Sequence, residues 1–141
     1  MMRFITVLIA DNDEPFRQTL QYALTEVEGI HVVGLADTVR ETMALARVLR
    51  PDVILLNVTL LGGNDGSVPE PDLFTAGKVL LLNEPGQEQR TLQTLRLGAR
   101  GFLDKGDELL TKLAEAIRSV QRGEAILSPR LTGWMLDTIL H

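Results

Sequence analysis

Residues 53–58 read Val-Ile-Leu-Leu-Asn-Val, an apolar run interrupted by a single asparagine. Comparable runs occur at residues 4–10 (FITVLIA), 30–36 (IHVVGLA) and 79–82 (VLLL), and a weaker one occurs at 101–103 (GFL). Nearly continuous runs of Val, Ile and Leu are typical of strands whose two faces are both covered by helices, as in a parallel sheet. These runs therefore predict the strands of a buried parallel sheet.

Helical periodicity fills most of the intervals between these runs. Asp13 followed by Pro15 predicts a helix start, because Asp caps helices and Pro is tolerated in the first turn. Thr38 and Glu41 have capping-box spacing ahead of a second helix. Apolar stripes predict further helices over residues 91–97 and 109–120, and a last one that begins at Ser128-Pro129.

The interval Thr59–Gly77 lacks this periodicity. A helix should connect the third and fourth strands here, but glycines and prolines make a long one improbable; they are Gly62, Gly63, Gly66, Pro69 and Pro71. We expect a long loop with at most one or two turns near residues 72–76. The whole chain then predicts an α/β fold with a doubly wound parallel sheet, a third helix that is shortened or lost, and an extra C-terminal helix.

Composition excludes several classes of function. The 141 residues fit one domain, and the absence of cysteine excludes disulfides, thiolate catalysis and cysteine-based zinc sites. The net charge of −5 argues against this segment binding a nucleic acid backbone by itself. No apolar run approaches the ~18–20 residues of a membrane span, and the N-terminus has no signal pattern. The sequence predicts a cytoplasmic domain without a membrane partner.

Polar residues follow the apolar runs at several points. Asp11 and Asn12 follow the first run, Asn57 lies near the end of the third, Asn83 follows the fourth, and Lys105 comes soon after the fifth. In doubly wound sheets, ligands bind outside the carboxyl ends of the strands. These residues therefore indicate a site, although Asn and Asp also favour strand-to-helix turns for purely structural reasons.

Four stretches together resemble a known family: VLIADNDE, LRPDVILLNVTLLGGNDG, VLLLNEPGQE and LGARGFLDKG. In this order they are similar to the CheY-like receiver domains of two-component response regulators. The likeness is greatest to receivers that precede LuxR-type helix-turn-helix domains. The stretch GEAILSPRLT resembles the end of such receivers. The resemblance implies a five-stranded sheet in the order 2-1-3-4-5.

The resemblance also implies a chemistry. Receivers take a phosphoryl group from a histidine kinase onto an aspartate that ends the third strand. An acidic pair after the first strand holds Mg²⁺, a Thr or Ser ends the fourth strand, and a Lys ends the fifth. This sequence retains the first acid, the lysine and the aromatic residue three positions before the lysine, which are Asp11, Lys105 and Phe102.

Asparagine stands at the remaining positions. The second acid is replaced by Asn12, the phosphoacceptor by Asn57 and the hydroxyl residue by Asn83. Phosphorylation of an aspartate needs an ionised carboxylate nucleophile, and a carboxamide is uncharged and weakly nucleophilic. The resemblance therefore predicts that the chain has the receiver fold but that its phosphorylation pocket is degenerate.

The loss of acids also bears on metal binding. With Asp11 opposed by Lys105, the site is near neutral, so we expect Mg²⁺ binding to be weak or absent and no cofactor to be needed. A direct contact of Lys105 with Asp11 or Asn57 could replace the ion, and Asn83 could bridge to Asn57 or to a strand-end carbonyl. Asp13 either caps its helix or, with Asp11, restores part of a metal site.

The first hypothesis for the function is an atypical receiver, not an enzyme, that regulates transcription through phosphorylation-independent interaction. One alternative is a sensor of a small ligand in the vacated pocket. Another is a conventional phosphoacceptor in a phosphorelay that uses a shifted acid such as Asp13 or Asp65. Enzyme motifs such as G-x-S-x-G, the P-loop and G-x-G-x-x-G are absent from the sequence.

The expected organisation is a receiver over residues 1–124 and a linker or dimerisation helix over 125–141. The output domain of the related branch would need several dozen more residues, so we expect the chain to be part of a longer protein. Expected partners are a second copy of the chain and a histidine kinase or another signalling protein. DNA would be bound only through the missing output domain.

Overall fold

Parallel strands form one sheet in the order β2-β1-β3-β4-β5, as the resemblance implied. This computed structural model describes residues 3–62, 72–127 and 129–140. The strands are β1 (Ile5–Ala10), β2 (Ile30–Ala36), β3 (Val53–Asn57), β4 (Lys78–Asn83) and β5 (Gly101–Asp104). Each lies within about one residue of the apolar run that predicted it.

Helices connect these strands and cover both faces of the sheet. They are α1 (Glu14–Thr25), α2 (Val39–Leu49), α3 (Leu73–Ala76), α4 (Glu88–Leu97), α5 (Leu109–Gln121) and α6 (Pro129–Leu140). The third helix has four residues, which confirms that it is shortened, and α6 confirms the extra C-terminal helix. None of the helices in the described ranges is long and apolar enough to cross a lipid bilayer.

The predicted loop was wrong at its beginning. Residues Val58–Gly62 form a 3-10 helix directly after β3. The physical reason is burial, since Val58 is inaccessible and Leu60 is 5% exposed, so a tight turn places both in the core. The turn near residues 72–76 is confirmed by α3, whereas residues 63–71, which include Asp65, lie outside the described residues.

Alternate strand residues divide the core into two layers. In β1, Val7 and Ile9 face the cluster formed with α1 and α5, and Leu8 and Ala10 face the cluster formed with α2 and α3. Because both clusters are apolar, the central strands are buried on both sides, which explains why their sequences do not alternate.

Two predicted helix caps are confirmed. Asp13 Oδ1 accepts a hydrogen bond from the Phe16 backbone N–H at 3.2 Å, and Thr38 Oγ1 accepts one from the Glu41 N–H at 3.0 Å. The return contact of Glu41 goes to the N–H of Asp37 at 3.2 Å. Both caps lie at the carboxyl end of a strand, so they fix the direction in which α1 and α2 leave the sheet.

The chain after α5 returns to the edge of the sheet. The Phe102 N–H donates to the Ile126 carbonyl at 2.8 Å, and the Ile126 N–H donates to the Arg100 carbonyl at 3.3 Å. This bridge covers part of the outer edge of β5. It is formed by Ile126, which lies beyond residue 124, the end of the receiver that the sequence predicted. Trp134 of α6 then packs half-buried against the cluster that contains Phe102.

Gly101 permits this bridge, and we expect Gly101→Ala to weaken it. A Cβ at Gly101 would clash with the Ile126 carbonyl oxygen, so the backbone of the bridge must move. Urea unfolding should show a loss of about 2 kcal/mol in the free energy of unfolding, typical of an overpacked site. Gly106→Ala is the control, because a Cβ there meets nothing within 4 Å. Equal effects of the two substitutions would contradict the role of the bridge.

Candidate functional site

Four strands deliver polar side chains to the carboxyl edge of the sheet. Asp11 follows β1, Asn57 ends β3, Asn83 ends β4, and Lys105 follows β5. Because the strands are parallel, these residues meet at one edge, as the sequence predicted. The side chains of Asp11, Asn57 and Asn83 are completely buried.

Lys105 forms an ion pair with Asp11 at the centre of this edge. The ammonium Nζ lies 2.8 Å from Asp11 Oδ2, which confirms the predicted direct contact between the two side chains. The other carboxylate oxygen of Asp11 accepts hydrogen bonds from the Asp13 N–H at 2.9 Å and from Asn57 Nδ2 at 3.1 Å. The lysine also lies over the ring of Phe16, 3.8 Å from its centroid.

The Asn57 amide acts as a donor to two acids. Its Nδ2 donates to Asp11 Oδ1 at 3.1 Å and to Glu84 Oε2 at 2.9 Å, and its Oδ1 accepts from the Thr59 N–H at 3.0 Å. A carboxylate at this position would have no hydrogen to give to either acid. The surroundings of Asn57 are therefore suited to an amide.

Glu84 was missed by the sequence analysis. Its Oε2 lies 3.7 Å from Lys105 Nζ in addition to its hydrogen bond with Asn57. Its position directly after Asn83, at a strand end, was the available signal. The expectation of a near-neutral site was wrong, because Asp11 and Glu84 together oppose the single charge of Lys105. We refer to Asp11, Asn57, Glu84 and Lys105 as the Asn57 cluster.

Asn83 belongs to a separate hydrogen-bonded group. Its Nδ2 donates to Asp104 Oδ1 at 2.9 Å, and its Oδ1 accepts from Thr91 Oγ1 of α4 at 2.7 Å. The predicted bridge from Asn83 to Asn57 or to a strand-end carbonyl was wrong. The side chain turns instead toward the neighbouring strand β5 and toward α4.

The remaining predicted residues lie around the cluster. Asn12 is exposed, and its Oδ1 lies 3.4 Å from the hydroxyl of Thr59. Asp13 caps α1 through its side chain. Phe102 is completely buried in the core cluster on the side of α2 and α3.

The donor set of the Asn57 cluster does not fit the magnesium ion that the family resemblance implies. Mg²⁺ needs oxygen ligands in an octahedral arrangement. Here the ammonium of Lys105 lies against Asp11 Oδ2, and the amide hydrogens of Asn57 point to Asp11 and Glu84. In the part of the chain that the structure describes, no group of three His, Cys, Asp or Glu could hold a metal.

Comparison with known proteins agrees with this architecture. Residues 7–118 match the family described as the response regulator receiver domain. The response regulator GacA of Pseudomonas aeruginosa is 31% identical over 133 residues, which are 90% of this chain and 60% of GacA. The transcriptional regulatory protein LiaR of Bacillus subtilis is 29% identical over 97% of this chain and 65% of LiaR. The chain thus spans about three fifths of the length of such relatives.

Solved structures show the same fold. The signal receiver domain of NarL from Mycobacterium tuberculosis superimposes with a TM-score of 0.72 at 27% identity, covering 86% of this chain and 99% of that domain. A LuxR-family response regulator from Aurantimonas sp. gives a TM-score of 0.81 at 19% identity, covering 98% and 99% of the two chains. This chain therefore belongs to the response regulator receiver domain family and is similar to the receivers of LuxR- and NarL-type regulators.

Proposed function

We propose that this chain is an atypical receiver that signals without phosphorylation of Asn57. The observation that carries this proposal is the bonding of the Asn57 amide, whose nitrogen donates to both Asp11 and Glu84. Acyl phosphate formation needs an ionised carboxylate nucleophile. The Asn57 amide carries no charge, and the lone pair of its nitrogen is delocalised into the carbonyl group, so it is a poor nucleophile.

The shifted acids offer little support for a conventional phosphoacceptor. Asp13 is engaged as the cap of α1, and Asp11 is completely buried in its ion pair with Lys105. Asp65 lies outside the described residues. A small-ligand sensor in this pocket also has less support, because the polar groups of the Asn57 cluster already bind one another. We do not assign an enzymatic activity to the domain.

We further propose that the domain is the receiver of a transcription regulator in the cytoplasm. Relatives such as LiaR carry the name of transcriptional regulators, and this chain spans only part of their length. The net charge of −5 disfavours contact between residues 1–141 and the phosphates of DNA. We therefore propose that DNA is bound by another part of the protein. A histidine kinase or another signalling protein would then act on the receiver by binding to it.

We propose that α6 is the dimerisation helix of the segment 125–141, which is attached to the receiver (1–124) through the Ile126 bridge. Trp134 packs against the receiver, and on the opposite side of the helix three aliphatic side chains are exposed, at 53% for Leu136, 67% for Ile139 and 75% for Leu140. A helix that is apolar on two sides suits burial between two bodies. We propose a second copy of the chain as the other body.

Incubation with acetyl phosphate and Mg²⁺, followed by intact-mass measurement, tests the absence of phosphorylation. We expect no increase by the mass of one phosphoryl group, because position 57 lacks the carboxylate. A receiver with an aspartate at the corresponding position is the positive control. Gain of one phosphoryl group by this chain would refute the proposal, and the same measurement on Asp13→Asn would show whether Asp13 carries it.

A further inference from the structure

We propose that Glu84 is an internal anionic ligand of the pocket and that its contact with Asn57 and Lys105 controls the position of the segment leading into α4. This inference rests on the proposed function, because it gives the side chain of Glu84 the controlling role that a phosphoryl group has in a phosphorylated receiver. Four observations support it: the convergence of donors, the exposure of Glu84, the chain connectivity and the start of α4.

Two donors converge on one oxygen of Glu84. The Asn57 amide donates to Oε2 at 2.9 Å, and the Lys105 ammonium lies 3.7 Å from the same atom. The amide contact is a charge-assisted hydrogen bond at normal length, whereas the lysine nitrogen lies beyond hydrogen-bond distance of the same oxygen. The longer lysine contact adds attraction. Together these groups form an anion-binding arrangement that the chain itself fills.

Glu84 is the member of the Asn57 cluster that can leave. Its side chain is 36% exposed, whereas that of Lys105 is 12% exposed and those of Asp11 and Asn57 are buried. Withdrawal of Glu84 into solvent would return its carboxylate to water and leave the Asp11–Lys105 ion pair in place. The contact can therefore open without disruption of the core.

The position of Glu84 in the chain connects it to α4. Glu84 directly follows β4, and its carbonyl accepts a hydrogen bond from the Gln87 N–H at 3.0 Å, which closes a turn before α4 begins at Glu88. The turn includes Gly86 with φ +88°, a conformation that favours glycine. A change at the Glu84 carboxylate thus acts on the turn that positions the helix.

The start of α4 lacks a side-chain cap. Gln87 occupies the cap position and its side chain makes no capping hydrogen bond. The first N–H groups of a helix need partners, and an uncapped start is more easily frayed. Two side-chain hydrogen bonds hold the start of α4 in place. Glu84 accepts one from Asn57 before the helix, and Thr91 within the helix donates the other to Asn83.

Hydrogen exchange measured by mass spectrometry on the whole chain, without phosphoryl donor or divalent cation, tests this inference. We expect Glu84→Ala to raise the exchange rates of amides in residues 86–92 by about tenfold, as loss of a hydrogen bond to a charged group should destabilise this segment locally. Glu84→Gln should give a smaller increase, because its amide oxygen can still accept from Asn57. Exchange in β1, β2, α1 and α2 should not change.

Glu108→Ala is the matched control. Glu108 occupies the cap position of α5, as Gln87 does for α4, and like Gln87 it makes no capping hydrogen bond. Its carboxylate pairs with Lys112 on the surface at 2.8 Å. Its removal should leave the exchange of residues 86–92 unchanged. An unchanged segment in Glu84→Ala, or a rise spread over the whole domain, would overturn the inference. Phosphorylation of the unmodified chain by acetyl phosphate would instead refute the proposed function, so the two failures are distinguishable.

Discussion

Asn57→Asp is expected to lower the free energy of unfolding at neutral pH by roughly 3–5 kcal/mol when divalent cations are chelated, the range for an uncompensated buried charge. The substitution removes the two amide hydrogens of Asn57. Its Nδ2 now donates them to Asp11 Oδ1 at 3.1 Å and to Glu84 Oε2 at 2.9 Å. A carboxylate in the same place would bring its oxygens against those of two other acids. With one lysine opposing three carboxylates, the cluster would carry a charge of about −2 and repel itself.

The same change should create a dependence on magnesium. A cluster with excess negative charge and additional carboxylate oxygens meets the preferences of Mg²⁺ better than the amide does. We therefore expect added Mg²⁺ to raise the urea midpoint of Asn57→Asp but not that of the unmodified protein, since a ligand that binds the folded state stabilises it.

Asn12→Asp is the control for the chemical change alone. Asn12 is exposed and follows the buried Asp11 at the same edge of the sheet. Its replacement should alter the free energy of unfolding by no more than about 0.5 kcal/mol, as is usual for surface positions. If Asn57→Asp proves as stable as the unmodified protein in chelator, the donor role of Asn57 is wrong.

The fold was largely predictable because burial leaves a direct trace in the sequence. A strand covered on both faces has to be apolar at successive positions, which residues 54–56 and 79–82 show plainly. The 3-10 helix at Val58–Gly62 was not predicted, because three apolar residues in a short segment that continues into glycines and prolines carry no recognisable period. Its formation depends on the core cluster that Val58 and Leu60 join, which is assembled from residues distant in the sequence.

The site was predictable only as far as the strands extend. Parallel strands place Asp11, Asn57 and Lys105 at one edge, and the first and last of these do meet. Beyond a strand end, the direction of a side chain depends on the turn that follows. Glu84 therefore enters the cluster and Asn83 turns toward Thr91, although the two residues are adjacent in the sequence.

Lys105→Met should also have a large effect. Asp11 is completely buried, and its Oδ2 lies 2.8 Å from the lysine ammonium, so the substitution leaves a buried carboxylate without its countercharge. We expect the free energy of unfolding to fall by roughly 3–5 kcal/mol, the cost of breaking a buried ion pair from one side. Lys112→Met is the control, because that lysine is 59% exposed and pairs on the surface with Glu108.

Combining Lys105→Met with Asp11→Asn separates the charge from the packing. An amide at position 11 keeps an oxygen that can accept from the Asp13 N–H and from Asn57, as Asp11 Oδ1 does at 2.9 and 3.1 Å. Removal of both charges of a buried pair is often nearly neutral, whereas removal of one is not. We therefore expect the double variant to be more stable than Lys105→Met alone. The single variant Asp11→Asn completes the comparison. If the losses of unfolding free energy in Lys105→Met and in Asp11→Asn simply add in the double variant, Lys105 contributes through its contact with the Phe16 ring and not through Asp11. The ammonium lies 3.8 Å from the centroid of that ring.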